Sequence, residues 1–384
     1  MVVDVTNWQR ASLFLLATTS AFTAQTAVLP EDRSDIMYHS NDGGGVTIDG
    51  PSLLVRKDFA GKVSVNANYY VDKVSSASID VETSGASRYT EERTEYSLGA
   101  DYLYDKTILS AGFTNSEEND YISDTAYFSI SQDFFGDLST VTLGYSRGND
   151  QVMQNGNDAL QEEVDRQNYR FGFSQILTPK LLVNLNYESV TEEGFLNNPY
   201  RSYRFLNQAG TSATSATEVY PATRTSDAIS VGAMYYLPYR ASIHGEYRFF
   251  SDDWEIEAHT YKLSYTHPFS DQWIFDISYR FYTQVSAYFY SDLFDFPSVD
   301  EKDFRARDKE LSEFTTQTLG LSLSYEFKIG SGDFFDKSSV NFQLDHIQFD
   351  YDTFRDLTKT GNLGEEPLYS FDADVIKVFF SVWY

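Results

Sequence analysis

The chain is predicted to be all-β: a transmembrane antiparallel β-barrel of about 16 strands, with short periplasmic turns and long extracellular loops. Three observations lead there. Apolar and polar residues alternate in runs of ten to fourteen residues, the period-2 signature of a strand whose two faces meet different surroundings. Soluble strands usually stop after ~5–6 residues. The connections alternate strictly between short and long, as the two ends of an outer-membrane barrel do.

Composition agrees. The 384 residues include 29 Tyr and 30 Phe but only 4 Trp, and 29 basic against 57 acidic residues give a net charge of −28. With no cysteine, disulfide scaffolds, thiolate zinc sites, Fe–S clusters and CxxCH haem attachment are excluded. The acidic balance argues against a nucleic-acid partner, whose affinity depends on basic residues neutralising phosphates. The aromatic content argues against a disordered acidic chain.

Taken in order, residues 1–27 read as an export signal: Arg10, then the apolar stretch Ala11–Ala17, then Ala24 and Ala27 as cleavage points. Residues 28–384 form the barrel. No other stretch has the ~18 consecutive apolar residues of a membrane helix. The first strand is Arg33–Ser40, turning through Gly43–Gly45; fifteen more follow from residue 46 onward. In Val63–Val71, the odd-numbered Val63, Val65, Ala67, Tyr69 and Val71 oppose Ser64, Asn66, Asn68 and Tyr70. The same alternation marks Leu181–Tyr187, Gln272–Tyr282 and Leu319–Ile329. Short turns fall at 58–61, 104–106, 135–137, 178–180, 238–240, 270–272 and 330–333, and the other connections lie around 76–92, 117–121, 149–165, 193–225, 251–255, 286–312 and 351–370. The last strand ends Val378-Phe-Phe-Ser-Val-Trp-Tyr384. It lacks the charges and prolines that blunt an edge, so it is expected to pair with the first strand and to resemble the assembly signal read by the barrel assembly machinery.

Several segments resemble a bacterial outer-membrane family catalogued as domain of unknown function 3570: Asn41-Asp-Gly-Gly-Gly-Val-Thr-Ile-Asp-Gly-Pro51, Ser75-Ser-Ala-Ser-Ile-Asp80, Gly85-Ala-Ser-Arg-Tyr-Thr-Glu-Glu-Arg93, Asn197-Asn-Pro-Tyr-Arg201, Tyr236-Leu-Pro-Tyr-Arg240 and Ala306-Arg-Asp-Lys-Glu-Leu-Ser312. The resemblance implies a barrel in the outer membrane of a Gram-negative bacterium, among outer-membrane lipid and lipopolysaccharide. It implies no catalytic residue. It also points to a periplasmic protein partner, of redox type.

Alternation places Asp72, Glu95, Asp101, Arg170, Glu188, Glu246, Arg248, Asp276, Arg280, Glu326, Lys328 and Lys377 on the lumen face, since a charge facing lipid at the midplane costs roughly 2–4 kcal/mol. They read either as a solvated, salt-bridged wall or as a constriction that selects solutes by charge. Arginines gather in the loops beside aromatic residues: Arg88, Arg93, Arg201, Arg204, Arg224, Arg305 and Arg307. Their guanidinium groups could fix the loops through Glu91, Glu92, Asp303, Asp308 and Glu310, or hold an anionic ligand. The connection Ser286–Ser312 exceeds the usual ~12–15 residues and is the first candidate to fold inward.

Acidic clusters such as Asn115–Asp120 lack a twelve-residue calcium-loop pattern and read as solvated surface. The five histidines, His39, His244, His259, His267 and His346, come with no nucleophile elbow, His-Glu-x-x-His or phosphate loop. No enzyme activity, metal or cofactor is expected. The leading expectation is a porin-like passive channel for small polar solutes. The alternatives are a barrel sleeve or scaffold around a partner, or a surface protein that docks a ligand through its loops.

Overall fold

The computed structural model describes residues 27–76, 89–296, 303–329 and 335–384. Sixteen long antiparallel strands close on themselves. In chain order they are β1 (Arg33–Gly43), β2 (Val46–Phe59), β3 (Val63–Ser76), β4 (Tyr89–Tyr104), β5 (Thr107–Glu117), β6 (Tyr121–Phe134), β7 (Ser139–Met153), β8 (Gln161–Thr178), β9 (Leu181–Gly194), β12 (Thr223–Tyr236), β13 (Ser242–Asp252), β14 (Glu257–Pro268), β15 (Trp273–Gln284), β16 (Phe314–Phe327), β17 (Lys337–Arg355) and β18 (Leu368–Trp383). A small hairpin, β10 (Ser202–Leu206) with β11 (Ala213–Thr217), lies inside the connection from β9 to β12.

Each barrel strand pairs with its sequence neighbours, and β18 closes onto β1 with Ile36 opposite Phe380 and Tyr38 opposite Val378. The expected first strand therefore exists, three residues longer than Arg33–Ser40. The turn after it needs positive φ at two successive positions, and Gly44 (φ 58°) and Gly45 (φ 79°) supply it without a Cβ penalty. At the opposite end, the two-residue turn Asp105–Lys106 puts Asp105 at φ 54°, a conformation Asp tolerates better than most side chains.

The alternation sets the two faces. Val55, Val65, Leu98, Phe113, Leu143, Val231, Leu263 and Ile376 point out and are exposed on the isolated chain, where lipid would cover them. Aromatic pairs band this outer surface: Tyr69–Tyr96 (ring centroids 5.1 Å apart), Tyr145–Tyr169 (5.2 Å) and Tyr247–Tyr261 (5.0 Å) about midway along their strands, and Trp273–Tyr325 (4.6 Å) beside a short connection. Aromatic girdles belong to the exterior of a membrane barrel.

Some strands run further than the sequence pattern suggests. The acidic stretches around 149–153 and 161–165 continue the β7–β8 ladder, with Asn149 opposite Asp165 and Gln151 opposite Glu163. Above the lipid, ladder hydrogen bonds need no apolar face. Lys328, expected on the lumen wall, is a correction: β16 ends at Phe327, and Lys328 lies exposed beyond it.

Candidate functional site: the lumen and its outer mouth

The inner wall is polar and largely neutralised within itself. On β1–β5, His39 Nε2 meets Asp72 Oδ1 at 2.8 Å and the Tyr70 hydroxyl at 3.1 Å, and its ring stacks on Tyr70 at 4.8 Å. His39 belongs to β1 and Asp72 to β3, so the contact crosses β2 at Gly50, the register partner of His39. A Cβ at Gly50 would stand 1.8 Å from the Val71 carbonyl oxygen, so only glycine fits. Arg93 bonds Glu95 (2.6 Å) and Ser116 (2.8 Å) and lies 3.7 Å from Asp72. Arg56 reaches Asp101 at 3.4 Å, and Ser110 donates to the same carboxylate at 2.6 Å. His39 is 2% exposed and built into this wall.

The rest of the inner wall carries the remaining predicted lumen charges. Arg170 on β8 lies 3.6 Å from Glu188 on β9, and Arg248 on β13 lies 3.8 Å from the same carboxylate. Asp276 accepts from Thr266 at 2.6 Å, and Glu326 pairs with Lys337 at 3.5 Å. Glu246, Lys262 and Arg280 stand in register on β13, β14 and β15, and Lys377 on β18 stands between His39 and Gln343. Among the described residues, side-chain bonds between strands link neighbours or strands one apart, and none spans the lumen.

The outer mouth is different, because its loops fold into one body. Leu196, Tyr220, Trp254, Ile256, Ala287, Phe289, Ala306 and Leu311 form a buried core with Val152 and Val164, and Tyr121 and Phe250 pack against it. Tyr121, Val152, Val164 and Phe250 are inward-facing residues at the loop ends of β6, β7, β8 and β13, so this cap is seated inside the mouth. Three aromatic rings meet at its centre: Tyr220–Trp254 at 5.7 Å, Tyr220–Phe289 at 5.4 Å and Trp254–Phe289 at 5.1 Å. Edge-on aromatic pairs add about 0.5–1.5 kcal/mol each beyond the area they bury.

Ion pairs tie the loops together. Arg204 bonds Glu366 through both terminal nitrogens (2.8 and 2.9 Å) and also bonds Asp292. Arg307 bonds Asp292 at 2.9 Å, donates to the Arg355 carbonyl at 2.8 Å and lies 4.3 Å above the Phe354 ring. Arg201 pairs with Asp308, and the Tyr220 hydroxyl donates to Glu218 (2.7 Å) and Asp308 (3.2 Å). Arg305 pairs with Asp303 at 2.9 Å and lies over Phe294. These arginines fix the loops. Arg93 and Arg224, expected in loops, sit on the inner faces of β4 and β12, and Arg224 is clamped by Asp252 at 2.6 and 2.9 Å. Arg88 lies outside the described residues.

The β9–β12 connection crosses the mouth. Tyr200 donates to Asp120 in the β5–β6 loop, and four residues later Arg204 holds Glu366 in the β17–β18 loop. Five strand-to-strand steps separate β5 from β18 by the shorter way round the sixteen. Distant parts of the rim are thus clasped on a five-residue stretch. The described parts of the Ser286–Ser312 connection, 286–296 and 303–312, also fold inward: Ala287 and Phe289 enter the cap core, and Tyr290 bridges Ala306. The β10–β11 hairpin and the cap core were not visible in the sequence, although the Arg-Tyr-rich run 199–205 marked their centre.

Burial and charge set the acidity of the cap groups. Glu366 is held down to about 2 by the bonds from Arg204. Glu218 is pushed up to about 7 by burial, with Asp308 adding to the effect. Asp120, buried beside Tyr200, is raised by burial.

A closed sheet with an aromatic-girdled apolar exterior and a charged interior is an outer-membrane-type β-barrel. The chain belongs to the family described as protein of unknown function (DUF3570), whose model matches residues 81–376. No curated protein matches it. Among solved structures it is similar to a bacterial polysaccharide outer-membrane secretin (8% identity, TM-score 0.49, 92% of this chain and 99% of that one). It is also similar to a FadL homologue from Pseudomonas aeruginosa (9% identity, TM-score 0.42, 93% and 91%). A third likeness is the siderophore receptor PirA from Acinetobacter baumannii (9% identity, TM-score 0.45); the chain covers 60% of that receptor's length, with 92% of its own matched.

Proposed function

We propose that the chain is a channel of the outer membrane for small polar solutes, and that its loop cap holds the outer mouth nearly shut. The observation that carries this reading is the pairing of a polar, unbridged inner wall with a folded cap seated on that wall. A barrel of this strand number is wide enough for water unless something fills it, and the cap fills it at the outer mouth. Loop arginines spent on internal ion pairs count against a ligand-docking surface. The reading involves no enzyme chemistry. It carries with it export by the N-terminal segment and residence in the outer membrane.

Planar-bilayer recordings test it. The wild-type barrel should conduct in small or infrequent steps. The Arg204→Ala variant, which releases Glu366 and Asp292, should open more often or more widely. A correctly folded barrel that stays silent in both forms would remove the channel reading. A pull-down that always returns a stoichiometric periplasmic protein would then favour a sleeve.

A further inference from the structure

On β13–β15 the inner wall breaks a rule of sheet construction. Lys262 and Arg280 are direct register partners on one face of the sheet, and like charges placed directly opposite destabilise a sheet. Among the described residues, neither makes an ion pair or a side-chain hydrogen bond. Arg248 stands one residue pair nearer the mouth, in the row of Thr260 and Tyr282. Around them stand Arg170 and Arg248 with Glu188, and Glu246 is the register partner of Lys262 on its other side. Glu188 is shared between Arg170 and Arg248 and also accepts from Asn168 at 2.8 Å. The next carboxylates along the wall, Asp276 and Asp345, accept from the neutral Thr266 and Gln343 (2.7 Å) and make no ion pair with Lys262 or Arg280 among the described residues.

The cations are also held in place by rings. The Arg280 guanidinium lies 5.3 Å from the Tyr282 ring centre, and that of Arg248 lies 5.7 Å from Phe250. Above them Arg224 lies 4.6 Å from Trp254. The result is a line of arginine–aromatic pairs descending from the cap to the middle of the lumen. Stacked guanidinium groups keep their N–H edges free for a planar oxyanion.

We propose that Lys262, Arg280 and Arg248 form an oxyanion-binding site on the lumen wall, which takes small solutes bearing carboxylate or phosphoryl groups. The proposal rests on the channel reading only for how the solute arrives; the site itself can be measured without any current. Pyrophosphate is the probe. Its ³¹P line width is followed as the detergent-folded, full-length barrel is added, with Arg240→Gln at the exposed turn as a control.

Wild type and the control should broaden the line alike, and Lys262→Gln/Arg280→Gln should weaken binding at least fivefold. Arg280→Glu gives a second readout. It turns the like-charge opposition with Lys262 into a cross-strand pair and keeps Lys262 opposite Glu246, so it should raise the unfolding temperature while abolishing binding. Broadening that is absent in wild type, or unchanged in the variants, overturns the site even if the barrel conducts. Binding by a barrel that passes no current upholds the site and removes the channel reading instead.

Discussion

Glu218 and Asp308 compete for one hydroxyl proton, that of Tyr220, in a pocket sealed from water. Only Asp308 has an arginine directly upon it, so Glu218 keeps a proton to a higher pH than a free carboxyl. The sign of the linkage follows. A carboxyl whose folded pKa is raised binds more protons folded than unfolded, so stability falls as pH rises. The Glu218 contribution is complete below the ordinary glutamate value of 4.5 and is lost as pH passes about 7. Glu366 works in the opposite sense, but its loss comes as pH falls from about 4.5 towards about 2, so it stays constant over the working range. The cap of the wild-type protein should therefore be cleaved faster by protease at pH 8 than at pH 5.5, and Glu218→Gln should flatten that difference. A pH dependence unchanged in Glu218→Gln would show that another group controls the cap. Gly50 supplies a second residue-scale prediction. Gly50→Ala forces a methyl group against the Val71 carbonyl and should cost about 1–3 kcal/mol of barrel stability, read as a lower temperature for the heat-induced gel shift.

For the strands, the central statement is which residues face lipid. On β12, Val231 points out and Ser230 points in, as their exposures and register require. Val231→Lys should cost up to roughly 2–4 kcal/mol of folding free energy in bilayers, whereas Ser230→Lys should be close to neutral; equal costs would mean that the assigned faces are wrong. This division was legible in the sequence because alternation is a local, periodic signal: Val65, Ala67 and Tyr69 against Asn66 and Asn68 suffice to orient β3. The described turns were legible for the same reason, and so was the closing strand; the turn expected at 330–333 lies outside the described residues. The cap was not. Trp254, Phe289, Tyr220 and Leu196 come from three separate connections, each mostly polar, and no period relates them. The β7–β8 extension was hidden too, because acidic residues above the membrane can pair in a ladder without any apolar face. Arg93 shows the limit of composition: it stands in an acidic, arginine-containing run that reads as loop, yet the strand continues through it.

At the scale of the whole molecule, two structures share one barrel. The wall needs lipid outside and water inside, and the cap needs only itself and the rim. Trp254→Ala should therefore empty the cap core at a local cost of about 3–5 kcal/mol, leaving the gel shift of the barrel intact. Loss of the gel shift would mean that the cap and wall fold as one unit. The most direct test of the account is single-channel conductance of the wild-type protein beside Arg204→Ala, both refolded and heat-modifiable, in the same bilayer. The account predicts small or rare steps for wild type and larger or more frequent ones for the variant. Equal, steady, wide-open currents from both would contradict a cap that controls the mouth, and silence from both would contradict the water-filled lumen.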